Sequence, residues 1–183
     1  MRIIETQQQP EVSQLKPGDP DPTVTFGPTI DTGNAERIES WIQEALDGGA
    51  KRITGGKRNG AFFEPTVLTG VAADKKVVCE KAFGPVWVVE PYSDFYQAVE
   101  AINPSDFGLQ AGVFTNQLDK AMRAFNRLEV GGVVINDVPT FRVDNMPYGG
   151  VKDSGFGREE LKYSIEEMTE IKLLIMNNYL DSI

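Results

Sequence analysis

From Phe26 onward the spacing of apolar positions changes several times along the chain, and each change marks a predicted element. In "DTGNAERIESWIQEALDGGAK", Ile38, Trp41, Ile42, Ala45 and Leu46 recur at the i, i+3, i+4, i+7, i+8 spacing of one helix face. Asp31 or Thr32 can cap the start of that helix, and Gly48-Gly49 ends it. The runs "AFFEPTVLTGV" and "PVWVVEPY" are β-branched and aromatic between Gly and Pro, and read as strands. In "SDFYQAVEAIN" the helical stripe returns at Phe95, Ala98, Val99 and Ile102. "AGVFT" is a short apolar strand, and "NQLDKAMRAFNRLEV" is a helix with Leu118, Ala121, Met122, Phe125 and Leu128 expected on its buried face. "GGVVIN" is a further apolar strand.

Strands alternating with helices, and apolar along their whole length, predict an α/β fold: a parallel sheet with helices on both faces. At 183 residues the chain is expected to form one domain. Residues 1–15, polar and broken by proline in "TQQQPEVSQ", read as a disordered tail, and "KPGDPDPTVTFGP" continues as loop. After Asn136, "DVPTFRVDNMPYGGVKDSGFGRE" has no apolar period. A loop of that length inside a compact domain is more often functional than a slack connector. The helix "ELKYSIEEMTE" and the apolar segment "IKLLIMN" close the pattern.

Composition then removes whole reaction classes. The sequence contains no histidine, so Ser-His-Asp and Cys-His catalysis and His-bearing zinc sites are excluded. A single cysteine allows no internal disulfide and no Cys-x-x-Cys pair, which fits a reducing, cytoplasmic setting. The first residues lack the apolar core of a secretory signal, and no run approaches the roughly 18 apolar residues of a membrane helix. A net charge of -9, from 27 acidic and 18 basic residues, argues against nucleic acid and anionic membranes as partners.

Individual motifs are weak. Gly155-Phe-Gly157 begins like a dinucleotide fingerprint, but Glu160 stands where the third glycine belongs. "GGKRNG" lacks the spacing of a phosphate-binding loop. Cys79, beside Lys81 in "VVCEKAFGPV", is either an activated nucleophile or a small buried hydrophobe, and the second is the commoner fate of a free cysteine. The residues by themselves complete no catalytic constellation and no metal site.

Taken in order, "FGPTIDTG", "GAFFEPTVL", "CEKAFGPV", "FGLQAGVFT", "GGVVIND" and "MPYGGVKDSGFGRE" resemble the aldehyde dehydrogenase superfamily, from about Lys16 to Asn177. The resemblance implies an NAD- or NADP-dependent oxidoreductase that converts aldehydes to carboxylic acids. In that family a cysteine attacks the carbonyl, hydride passes to the nicotinamide, and a glutamate-activated water releases the thioester. The nucleophile lies several dozen residues ahead of the segment matching "FGPTIDTG", whereas only 26 residues precede Gly27 here and none is cysteine. The resemblance therefore implies a C-terminal portion without nucleophile, base or cofactor domain, inactive alone, whose natural partner is the N-terminal dehydrogenase half. The alternative is a non-catalytic pseudoenzyme or assembly module.

The same resemblance assigns particular residues. Lys81 occupies the position of a glutamate that accepts hydrogen bonds from the cofactor ribose, and an ammonium can only donate. Phe83 corresponds to the residue beside the nicotinamide. Cys79, two positions ahead of Lys81, falls outside the nucleophile's seat, which leaves core packing as its expected role. Phe141, Arg142 and Asn145 match the substrate-tunnel wall, where Arg142 or Asn145 would meet a polar or anionic substrate tail. Residues 16–169 are thus expected to form the catalytic-domain portion, and 170–183 an oligomerisation strand and tail. Residues 171–177 of that strand would join a second copy in a homodimer or larger assembly.

Overall fold

The structure, a computed structural model, describes residues 12, 14, 15, 18, 19 and 21–177. The expected tail over 1–15 lies almost wholly outside the described residues, as do 178–183 of the terminal segment. Where length suggested one domain, the chain divides into two compact units, Met1–Ser93 and Asp94–Ile183.

In the first unit, helix α1 (Thr32–Asp47) is the longest element. Asp31 is its cap: the carboxylate accepts a hydrogen bond from the Asn34 backbone N–H at 2.7 Å. The helix stops at Gly48, whose N–H donates to the Glu44 carbonyl, and Gly49 turns the chain with φ 99°. Strands β1 (Lys51–Thr54), β4 (Thr66–Thr69) and β5 (Val86–Val88) form one sheet in the order β1-β4-β5. β4 runs antiparallel to β1 and parallel to β5. A small hairpin pairs β2 (Arg58–Asn59) with β3 (Phe62–Phe63), and a single helical turn, α2 (Lys76–Cys79), precedes β5.

The core lies where α1 meets this sheet. Ile38, Ile42 and Ala45 pack with Phe63, Leu68 and Val77, and Trp41, Val86 and Val88 close the edges. Full burial of each large side chain contributes about 2 kcal/mol relative to exposure. β4 is the central strand, so Thr66, Val67 and Leu68 are all buried. The Thr66 hydroxyl meets its hydrogen-bonding need by donating to the Glu64 carbonyl at 2.8 Å.

In the second unit, β7 (Gln110–Val113) and β8 (Gly132–Ile135) form a parallel pair, and β6 (Phe107–Gly108) pairs antiparallel with β9 (Val151–Lys152). Helices α3 (Phe95–Glu100) and α4 (Leu118–Arg127) follow the expected segments, and α5 (Leu161–Met168) is the last helix described. Asp94 caps α3 by accepting from the Tyr96 and Gln97 N–H groups. Arg127 pairs with Glu100 at 2.7 Å, which ties α4 to α3 and holds the Glu100 carboxyl below its ordinary range. Val99, Ala124 and Leu128 form the core, with Phe95, Ala111, Val113 and Val133 against it.

The α/β class stands, with two corrections. Antiparallel pairs accompany the parallel ones, because "KRIT" is too polar and the two-residue strands too short to show a period. The helix stripe expected to be buried on α4 is only partly so: Leu128 is buried, but Leu118, Met122 and Phe125 are 77%, 50% and 64% exposed.

Gly55 is the tightest backbone position of the first unit. Its φ is 74°, and a Cβ there would collide with the Pro65 carbonyl, which cannot yield because it belongs to the chain entering β4. Gly60, in the β2–β3 turn, has φ 61° and open space around it. Gly60→Ala should cost only the left-handed backbone penalty, about 1 to 2 kcal/mol, and Gly55→Ala clearly more. Urea unfolding of both variants checks the ranking.

Candidate functional site

In the first unit the chemistry-bearing turn is Ala82-Phe83-Gly84-Pro85, and α1 holds it. Arg37 donates to the Ala82 carbonyl at 2.5 Å, Asn34 Nδ2 donates to the Phe83 carbonyl at 3.1 Å, and Arg37 also donates to Asn34 Oδ1 at 2.6 Å. The Arg37 guanidinium lies over the Trp41 ring, 4.1 Å from its centroid, so a core aromatic sets its direction. On the other side the Thr66 N–H donates to the Pro85 carbonyl at 2.9 Å. Gly84 packs so closely on Ile38 that a side chain would displace it.

The result is an unusual residue. Phe83 has φ 51°, a left-handed conformation rare for a bulky side chain, and its ring is 77% exposed. It borders a hollow of about 470 Å³ lined largely by apolar groups, among them Phe26, Phe63, Pro85 and Trp87. A flat aromatic ligand suits such a wall. Lys81, two residues earlier, is exposed. It offers donors only, so the fit to a ribose hydroxyl pair is poorer than the fit to a ring.

In the second unit the loop after Asn136 is organised rather than slack. Turns close through Phe141 N–H to the Val138 carbonyl and Met146 N–H to the Val143 carbonyl, both at 3.2 Å. Farther on, Arg158 donates to the carbonyls of Gly150 and Gly157, and the Glu167 carboxylate accepts from the Arg158 N–H at 2.9 Å. Glu160, with φ 105°, stands where a glycine would sit at ease and instead caps α5 by accepting from the Lys162 N–H.

Phe141, Arg142 and Asn145 lie together on this loop and are all exposed. Arg142 is already engaged: it pairs with Glu159 at 2.9 Å and lies over the Tyr148 ring, 4.5 Å from its centroid. The backbone makes this possible, because the Glu159 N–H donates to the Tyr148 carbonyl at 2.6 Å and so brings the two side chains to Arg142. Glu159 therefore belongs with the predicted site residues, and "GRE" was its only sequence signal. Asn34 and Arg37 also escaped prediction, because on a helix's polar face they look like ordinary surface.

Cys79 does not pack in the core as expected. It ends the one-turn helix α2 with its side chain exposed, and its thiol donates weakly to the Asp74 carbonyl at 3.6 Å. Val77 takes the inward position of that turn instead, since one helical turn buries only one of its faces. Among the described residues no group of three or more Cys, Asp or Glu side chains converges to hold a metal, and no helix is long and apolar enough to cross a membrane.

The chain as a whole is similar to known proteins. The model of the aldehyde dehydrogenase family matches residues 4–174, beginning inside the stretch read above as a tail. The 3-sulfolactaldehyde dehydrogenase of Priestia megaterium is 48% identical over 168 residues, which is 91% of this chain and 35% of that protein. The crystal structure of aldehyde dehydrogenase 21 from Physcomitrella patens, in complex with the reaction product succinate, superposes with a TM-score of 0.93 at 44% identity. That match takes in 98% of this chain and 38% of the other. Glyceraldehyde-3-phosphate dehydrogenase from Methanocaldococcus jannaschii, complexed with NADP, gives a TM-score of 0.84 at 40% identity over 90% of this chain and 36% of its own. The chain thus spans little more than a third of each relative's length. With a family match from residue 4 to 174 and the same fold at 44% identity, the chain belongs to the aldehyde dehydrogenase family.

Proposed function

We propose that this chain is the C-terminal portion of a cytoplasmic NAD- or NADP-dependent aldehyde dehydrogenase, supplying part of the cofactor seat and the substrate loop, and that it does not turn over alone. The observation that carries this reading is Phe83. A bulky residue is held in a costly backbone conformation, by two side chains of α1, with its ring outside the core. A planar ligand lying against the ring would give that arrangement a use. When bound, the nicotinamide cofactor supplies the hydride acceptor. Phe83 positions its ring and Trp87 lines the same hollow, while Lys81 meets it without an acceptor for ribose hydroxyls.

Phe141, Arg142 and Asn145 then meet the aldehyde's tail. The relatives' names specify small aldehydes with hydroxyl, sulfonate or phosphate groups, and a succinate-bound structure is among them. Arg142, held by Glu159 and Tyr148, presents a guanidinium suited to an anionic end of that kind.

A second reading, a non-catalytic assembly module, draws on the end of the chain. Ile171, Leu173, Leu174, Ile175 and Met176 are all more than 70% exposed and make no strand pairing among the described residues. Apolar side chains on both faces of one segment call for cover, and under either reading residues 171–177 join a second copy of the chain.

The purified chain should oxidise no aldehyde with NAD or NADP. When it is supplied with the part of the Priestia megaterium enzyme that it does not match, 3-sulfolactaldehyde oxidation should appear. In that complex Lys81→Glu should tighten NAD binding about tenfold, as a charged hydrogen bond restored to the ribose would. Turnover by the chain alone would overturn the reading, and fluorescence titration checks the binding term. Light scattering on the chain and on a version ending at Thr169 tests the assembly. A dimer lost on truncation supports it, and a monomer in both contradicts it.

A further inference from the structure

The pairing that holds Arg142 also occupies it. One face of the guanidinium lies over the Tyr148 ring, and its Nη2 stands 2.9 Å from Glu159 Oε2. Among the described residues the Arg142 side chain has no other partner. Its charge therefore sits beside an equal and opposite one. An anion arriving from solution meets a neutral pair, and it gains the full attraction of the guanidinium only where the Glu159 carboxylate gives way.

Glu159 is placed so that its side chain can move while its main chain stays. The Arg158 N–H donates to Glu167, and the Glu159 N–H donates to the Tyr148 carbonyl at 2.6 Å. Glu160, turned at φ 105°, caps α5 through the Lys162 N–H. The Arg158 side chain adds hydrogen bonds to the Gly150 and Gly157 carbonyls. Each of the three residues is thus tied, whereas the Glu159 side chain is 63% exposed and its carboxylate has no partner but Arg142 among the described residues. Ion pairs this exposed are weak, because water solvates both groups once they separate. A ligand carboxylate or sulfonate brings Arg142 a charge and oxygens that match its planar fork. A neutral hydroxyl or amide brings no charge and makes the poorer exchange for an ionised partner.

We propose that Glu159 is a specificity-determining residue: its carboxylate stands in for an anionic substrate tail at Arg142 and yields to a carboxylate or sulfonate, but not to a neutral polar group. The inference deepens the role proposed above for Arg142 and rests on it. Glu159 closes the empty site against hydroxyl-ended and amide-ended molecules and sets the affinity at which an acid enters.

The test uses the full chain with succinate as the probe and succinamide as its neutral counterpart, at constant ionic strength. NMR follows the Arg142 side-chain Nε–H and the Glu159 amide. Succinate should shift both signals saturably in the wild-type chain, and succinamide neither. Glu159→Gln removes the competing charge at nearly constant size and should tighten succinate about fivefold or more. Glu159→Asp, which shortens the reach of the carboxylate, should act in the same direction. Glu129→Gln, which takes an equal charge from the Lys152 pair of the same unit, should leave succinate binding unchanged. Arg142→Gln should weaken succinate about tenfold or more, and Glu159→Gln should restore nothing in that background. Succinate binding that needs Arg142 but is unchanged or weakened by Glu159→Gln overturns the inference and leaves the role of Arg142 intact. Succinamide binding equal to that of succinate in the wild-type chain also overturns it. Absence of succinate binding from every folded variant overturns both the inference and the role of Arg142.

Discussion

The first unit depends on the packing of α1 across β3 and β4. Ile38 is the hinge of that contact: buried at 1% exposure, it meets Phe63 and Leu68 in the core and also limits the space beside Gly84. One side chain therefore couples the core to the turn that carries Phe83. Asn34 and Arg37, one turn before it and beside it on the helix, add the hydrogen bonds that fix the turn's carbonyls. A loosened α1 would release the core and the presented ring together, so stability and site geometry are one quantity here.

The second unit is built differently. Its core is small, and its order comes largely from polar and backbone ties: the Asn103 side chain bridges the Arg127 carbonyl and the Glu129 N–H, Lys152 pairs with Glu129, and Ser154 accepts from the Gly108 N–H. Its large apolar side chains lie outward on α4, on α5 and along 171–176. A monomeric protein rarely leaves so much apolar surface bare, and the chain spans about a third of its relatives' length.

Much of this was legible in the sequence where one residue type does one local job. The 3.6-residue period of Ile38, Ile42 and Ala45 gave α1, Gly48-Gly49 gave its end, and the ordered motifs gave the family. The rest was not legible, for physical reasons. Periodicity reports that Leu118, Met122 and Phe125 share a face but not whether the chain covers it, and the described residues leave it exposed. Cys79 reads as core by residue type, yet a one-turn helix has room for only Val77 inside. The pairing of Arg142 with Glu159 joins residues 17 apart in sequence through a backbone bridge that no period announces.

The central claim is that this member of the aldehyde dehydrogenase family folds around α1 and holds the Phe83 turn in place. Native-state hydrogen exchange on the isolated chain, resolved by residue, tests that most directly. The account predicts the slowest exchange at the amides of Ile38 to Ala45 and of Thr66 to Leu68, with the Thr66 amide that holds the Pro85 carbonyl among them. Uniform exchange at the unprotected rate across residues 32–88 would contradict it.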